Sequence, residues 1–215
     1  MTITPFLETR LALFQLLQAA FAAPVTPDLA EALAEASGLY ADLVGLSAPP
    51  LPEPSLPEDL HEFHRLFVGP AALVAPPYES VYLSAAKALR QEETLAVRSC
   101  YQAHGLGLPP GSTEPDDHLA YELAFYAHLQ ARALEAQAGG GEVLPLLAAQ
   151  AAFRTEHLQR WVPAFAARVI EGSRSPFYRS LALLLRDVVR SEDRILATLT
   201  ERLVAKEENV YEGSL

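Results

Sequence analysis

Apolar positions recur along this chain at spacings of three and four, the period of an α-helix that buries one face. Leu7, Leu11, Phe14, Leu17 and Phe21 form the first such stripe and predict a helix from about Pro5 to Ala22. Pro24 and Pro27 punctuate it, and the pattern resumes from Asp28 to Leu43. Prolines accumulate between Gly45 and Pro57, where fixed φ and missing N–H donors predict an extended linker or loop. Leu60, Phe63 and Phe67 mark a helix over Pro57–Val68 that Gly69 and Pro70 stop. The loop from Val68 to Tyr78 is itself apolar, so it is either packed or part of a binding surface; its Leu73 and Val74 need cover.

Beyond it the pattern predicts a short helical turn at Glu79–Leu83 and a longer helix over Lys87–His104. A helix over Pro115–Gln137 follows, broken by Gly139–Gly141. Val143–Glu171 reads as helix bent near Pro163, and a last helix runs from Pro176 to about Lys206. Residues 207–215 predict a frayed tail. Period-two alternation and β-branched runs are nearly absent. The expected fold class is therefore all-α, a single-domain multi-helix bundle over residues 1–206.

Charge narrows the partners. The 215 residues carry 16 Lys and Arg against 27 Asp and Glu, a net charge of −11. Lysine occurs only at Lys87 and Lys206, which disfavours nucleic acid, whose phosphates need clustered cations. A cationic partner is favoured instead, although acidic charge also serves plain solubility. Cys100 is the only cysteine, so an intramolecular disulfide and a thiolate metal cage are both excluded. Its place between Val97 and Tyr101 is that of a small core residue. The first helix resembles a signal peptide in its Ala20-Phe21-Ala22 triplet. Gln15 and Gln18 interrupt the apolar run, however, and Glu8 offsets Arg10, so a helix of a cytoplasmic domain is expected. No apolar run approaches the roughly 20 residues that span a bilayer.

The densest chemistry lies at Glu114-Pro115-Asp116-Asp117-His118. Carboxylates suit a helix N-terminus, and proline suits its first turn. His118 and Glu122, four apart, share a helical face. The plain reading is a helix cap with a local His–Glu pair; the functional reading is a recognition patch whose carboxylates hold arginines of a partner. A metal-dependent helical enzyme using His61, His64, His118 and Glu122 is the alternative. It lacks an HExxH pair and a repeated Glu-x-x-His pair, so no metal or cofactor is expected. No Gly-x-Ser-x-Gly elbow is present, and Gly139–Gly141 lacks the Lys-Ser/Thr of a phosphate loop. Phe63 and Phe67 read as core, and Tyr78 and Tyr82 as candidates for an exposed rim.

Three separated blocks resemble the TorD/DmsD/NarJ family of redox-enzyme maturation chaperones. The first is Leu66-Phe-Val-Gly-Pro70 with Ala75-Pro-Pro-Tyr-Glu-Ser-Val-Tyr-Leu83. The second is Glu114-Pro-Asp-Asp-His118 with Glu122-Leu123. The third is His157-Leu-Gln-Arg-Trp161 to Phe165, then Pro176-Phe-Tyr178. They follow in the family's order over roughly residues 60 to 190. The resemblance implies an all-helical protein without enzymatic activity. Its partner would be a molybdopterin-dependent oxidoreductase catalytic subunit, bound through an N-terminal leader of twin-arginine type. Binding would delay export or assembly until the molybdopterin cofactor is inserted. Matched to the family's blocks, the leader-binding residues would be Glu114, Pro115, Asp117, His118 and Glu122, with Phe67, Gly69, Pro70, Pro77, Ser80 and Tyr82. His157 and Trp161 would be mainly structural. No membrane insertion is implied. The Pro-rich segment Pro49–Pro57 is a possible hinge, so a monomer or a domain-exchanged dimer is expected.

Overall fold

A computed structural model describes residues 3–45, 50–108 and 110–212. Helix α1 is Ile3–Ala22, α2 Pro27–Val44 and α3 Leu56–Phe63, which runs on into a π turn at His64–Val68. Then come α4 (Glu79–Leu83), α5 (Glu92–Ala103) and α6 (Leu119–Gly139). Helix α7 (Leu144–Phe153) passes through a second π turn, Arg154–Leu158, into α8 (Gln159–Gly172), and α9 is Pro176–Glu212. The all-α class read from the periodicity is the class of the fold. No helix among the described residues is long and apolar enough to cross a membrane.

The stripes meet as their spacing requires. Helix α1 lies along α6 and against α2, and α8 packs along α9. From α1, Leu7, Phe14, Leu17 and Phe21 are buried; Leu119, Leu123, Tyr126 and Leu129 join them from α6, and Trp161 and Phe165 from α8. Each large apolar side chain so buried contributes roughly 1.5–3 kcal/mol. The ends of α2 show how the chain closes a helix. Thr26 Oγ1 accepts the Leu29 N–H at 3.2 Å, Pro27 follows where no donor is needed, and Gly45 ends the helix at φ +66°.

One feature of the core is ionic. Arg10 is wholly buried, paired with Glu192 of α9 and hydrogen-bonded to Gln150 Oε1 at 3.0 Å. The hydroxyls of Tyr40 and Tyr126 donate to the same carboxylate at 3.3 and 2.7 Å. Five helices therefore meet at one charge pair. The sequence pattern marked Arg10 only as a residue offset by Glu8.

Several boundaries differ from expectation, each for a local reason. Helix α5 starts at Glu92 instead of Lys87, because Lys87 (φ 48°) and Arg90 (φ 59°) adopt left-handed backbone that a helix excludes. Helix α6 starts at Leu119 instead of Pro115, because residues 114–117 are engaged in contacts outside the helix. The 143–171 stretch is interrupted by the π turn, while Pro163 sits inside α8. Helix α9 continues to Glu212, past the expected end near Lys206; residues 213–215 of the expected frayed tail lie outside the described residues. Within the Pro-rich segment, residues 46–49 lie outside the described residues, and 50–55 carry no regular structure. The apolar loop after α3 is exposed at Val68 and over Pro70–Ala72 and packed in its second half. Gly69 turns it at φ +102°, Ala75 and Pro77 are buried, and Val74 presses on the end of α8. A Cβ at Gly172 would stand 2.3 Å from Val74 Cγ1, so glycine permits that approach.

Candidate peptide-binding cleft

The apolar loop and the start of α6 are joined by a single antiparallel bridge between Tyr78 and His118. Leu119 N–H donates to Pro77 O at 2.8 Å, and Glu79 N–H to Asp117 O at 3.0 Å. These bonds lay the Pro-Pro-Tyr block against the Asp-His block, which are far apart in sequence. A cleft of about 220 Å³ opens beside the bridge. Phe21, Phe63, Phe67 and Val68 line it, together with Tyr78, Glu114, His118 and Tyr121.

The cleft has an aromatic floor and a polar rim. Phe67 meets Phe21 and Phe63 edge-on, with ring centroids 5.8 and 5.3 Å away. Val68, at the lip, is 59% exposed. Glu114 is exposed and accepts the Tyr78 hydroxyl at 2.5 Å; burial, then this carboxylate, holds the phenol above its ordinary pKa. His118 is the N-cap of α6: its Nδ1 accepts the Ala120 N–H at 3.1 Å, which puts its proton on Nε2. Burial pushes its pKa down, against the pull of Glu114 and Asp117, so the ring is neutral near pH 7.

Behind the rim lies a buried polar knot. Asp117 is fully buried; its two oxygens accept the Ser80 N–H and the Thr94 hydroxyl, each at 2.8 Å. It therefore caps α4 and ties α5 to it. Asp116 pairs with Arg98 at 2.7 Å, and its carbonyl accepts the Tyr101 hydroxyl. Glu122 is fully buried and accepts Trp161 Nε1–H at 3.1 Å. Burial, then the neighbouring Glu79, raises its pKa well above the ordinary range, so it holds its proton. Glu79 in turn receives His157 Nδ1 at 2.9 Å, and Cys100 Sγ lies 3.5 Å from His157 Nε2. Burial would lower the pKa of His157, but its hydrogen bonds to Cys100 and Glu79 overrule that and hold it at about 9.

Of the residues expected to bind a leader, the structure brings Phe67, Glu114 and His118 to the cleft. Pro77, Ser80, Pro115, Asp117 and Glu122 are buried behind it. Gly69 and Pro70 form the turn after Val68, and Tyr82 lies away from the cleft under the Arg168 guanidinium, 5.0 Å from ring centroid to Cζ. The expected His118–Glu122 pair does not form, since each has its own partner. His61 and His64 turn Nδ1 to carbonyls of their own helix, at 2.6 and 2.8 Å. Among the described residues no three His, Cys, Asp or Glu side chains converge on a metal position. The sequence pattern missed Phe21 and Tyr121 as cleft residues, and Glu79 as the anchor of His157. Nothing in the spacing of Glu79 sets it apart from a helix-start carboxylate.

An aromatic-floored cleft with a neutral imidazole and an exposed carboxylate on its rim is suited to binding a peptide side chain. The family model described as "Nitrate reductase delta subunit" matches residues 16–167, and the chain belongs to that family, the TorD/DmsD/NarJ family of the three blocks. The chaperone protein TorD of Vibrio cholerae serotype O1 is 31% identical over 140 residues, 65% of this chain and 63% of that one. The Tat proofreading chaperone DmsD of Salmonella typhi is 34% identical over 134 residues, 62% of this chain and 58% of its own. The matched region thus spans a little under two thirds of these relatives' length. A protein from Archaeoglobus fulgidus, described as a redox enzyme maturation protein, shares the fold. Its TM-score is 0.52 at 17% identity, over 85% of this chain and 93% of that one.

Proposed function

We propose that this protein is a cytoplasmic maturation chaperone, without catalytic activity, for a molybdopterin-dependent oxidoreductase. It binds the twin-arginine-type leader of the apo-enzyme and withholds it from export until the cofactor is in place. The observation that carries this reading is the cleft itself. It unites Phe67 from the first block with Glu114 and His118 from the second, residues 47 positions or more apart in sequence.

The chemistry of the cleft matches the two parts of such a leader. Its apolar segment places a side chain over Phe63 and Phe67, where burial supplies affinity at roughly 25 cal/mol per Å² of apolar surface. Glu114 meets a cationic residue at the rim. The neutral His118 adds no opposing charge. Occupying the leader excludes the export machinery by competition. The names of the relatives, TorD and Tat proofreading chaperone DmsD, support the same reading.

The test is capture from the native cytosol. The tagged full chain is expected to retain a molybdoenzyme precursor that still carries its leader and lacks cofactor. Recovery of no such precursor, under conditions where a molybdoenzyme is made, would overturn the reading.

A further inference from the structure

One polar array takes no part in the cleft: Cys100 of α5, His157 of the second π turn and Glu79 of α4. His157 is buried, and its Nδ1 stands 2.9 and 3.2 Å from the two oxygens of Glu79. A carboxylate there holds a proton on Nδ1 and aims the other ring nitrogen. That nitrogen, Nε2, lies 3.5 Å from Cys100 Sγ, a hydrogen-bonding distance for sulfur. Nucleophile, imidazole and orienting carboxylate therefore stand in line, each contributed by a different element of the fold.

The charges favour an anionic sulfur. Burial opposes charge on His157, but its hydrogen bonds to Cys100 and Glu79 hold its pKa at about 9. Behind Glu79, Glu122 of α6 keeps its proton and adds no second negative charge. The ring of Phe153, 4.8 Å from the imidazole, carries none. An imidazolium in this position donates Nε2–H to sulfur and stabilises the thiolate, the form of cysteine that reacts. The sulfur is also within reach of solvent, because Cys100 is only part-buried. Ala96 and Ala103, four before it and three after, share its face of α5 and are exposed, as is Ser99. Side chains this short leave the α5 side of the sulfur open to a small reagent.

We propose that Cys100 is a thiol-modification site that takes small disulfides, with His157 and Glu79 as its positioning residues. Cys100 releases its proton to solvent, and the thiolate forms a bond to one sulfur of the disulfide. The reagent's S–S bond breaks, and its second sulfur leaves as a thiolate. Cys100 is oxidised, and the small disulfide is the oxidant. Cys100 is the only cysteine of the 215 residues, so no second thiol of this chain resolves the mixed disulfide, and an external thiol restores Cys100. The site goes beyond the chaperone reading and does not depend on it.

The experiment is the pH profile of the reaction with dithiobis(nitrobenzoate), an aromatic disulfide, on the full chain, both folded and unfolded in urea, with Cys100→Ser as the blank. An unassisted thiol ionises near pH 8.5, so the unfolded chain should slow about hundredfold between pH 8.5 and 6. The folded chain is expected to slow less than about tenfold over the same range, whatever its absolute rate. His157→Gln, once circular dichroism shows it folded, should restore the steep profile. Should that variant fail to fold, the comparison of folded with unfolded wild-type chain decides alone. Parallel profiles for those two states, or a folded thiol that reacts at no pH, would overturn the proposal. A shallow profile kept by folded His157→Gln would overturn it as well, by taking the imidazole out of the site.

Discussion

Two histidines separate the parts of this molecule that hold the fold from the cleft proposed to bind. His157, in the knot, gives both ring nitrogens to partners, Glu79 at 2.9 Å and Cys100 Sγ at 3.5 Å. His118, on the cleft, spends one nitrogen accepting a backbone N–H of its own helix. Both lie near carboxylates and both are substantially buried, yet their pKa values move in opposite directions. Direct hydrogen bonds to Cys100 and to the Glu79 carboxylate overcome burial at His157. At His118 the charges of Glu114 and Asp117 act only through space, and burial prevails. The knot is thus a fixed, charged scaffold, and the cleft a neutral surface with one exposed carboxylate.

The sharpest way to break this division is at Asp117. If it belongs to the scaffold, Asp117→Ala strands the Ser80 N–H and the Thr94 hydroxyl in a buried interior. The expected cost is about 2–5 kcal/mol, from two buried donors left unpaired. Urea unfolding measures it. An unchanged midpoint would return Asp117 to the binding surface, where the resemblance of the second block places it.

The next largest effect is in the pH profile. His157 has a raised folded pKa of about 9, so its contribution is complete below the unfolded value near 6.5. That contribution is lost as pH rises through about 9, because the folded state binds the extra proton in this window and stability falls. Glu122, also raised, acts with the same sign. The loss assigned to His157 is at most about 3 kcal/mol between pH 6.5 and 9. His157→Gln should unfold more easily at pH 6.5 and show a flatter profile above it. Parallel profiles for the two proteins would refute the charged knot.

The sequence pattern revealed most of the fold because helices announce themselves locally. The α1 stripe of Leu7, Phe14, Leu17 and Phe21 is buried as its spacing requires. The start of α6 was misplaced for a reason that is not local. Glu114–Asp117 has the composition of a first helical turn, but Asp117 is drawn away by Ser80 and Thr94, residues contributed by α4 and α5. The same holds at the site. Spacing identified Glu114, Asp117 and His118 as one chemical cluster, and only tertiary packing divides it, turning Glu114 and His118 outward and Asp117 inward. Arg10 and Glu79 were opaque because their partners, Glu192 and His157, lie 182 and 78 positions away.

The smallest effect on stability, and the most informative for function, is expected at His118. Asparagine is a good N-cap, so His118→Asn should keep the Ala120 N–H satisfied and change stability by no more than about 0.5 kcal/mol. The variant removes the ring that meets Tyr78 edge-on at 5.1 Å and forms part of the cleft wall. Leader affinity should fall about three- to tenfold, the loss of one buried aromatic contact. The pH response gives a second, independent readout. With its pKa depressed, the His118 ring favours the native state above the unfolded value near 6.5, and that support is lost as pH falls through the folded pKa. Protonation there also removes the Nδ1 acceptor from the helix cap and places a positive charge where a cationic leader must dock. Leader binding to the wild-type chain should therefore weaken in acid, as pH falls below the ordinary imidazole range, and the Asn variant should lack that step. An acid step of equal size in both proteins would move the titrating group off the cleft and place His118 with Asp117, among the residues that only hold the fold.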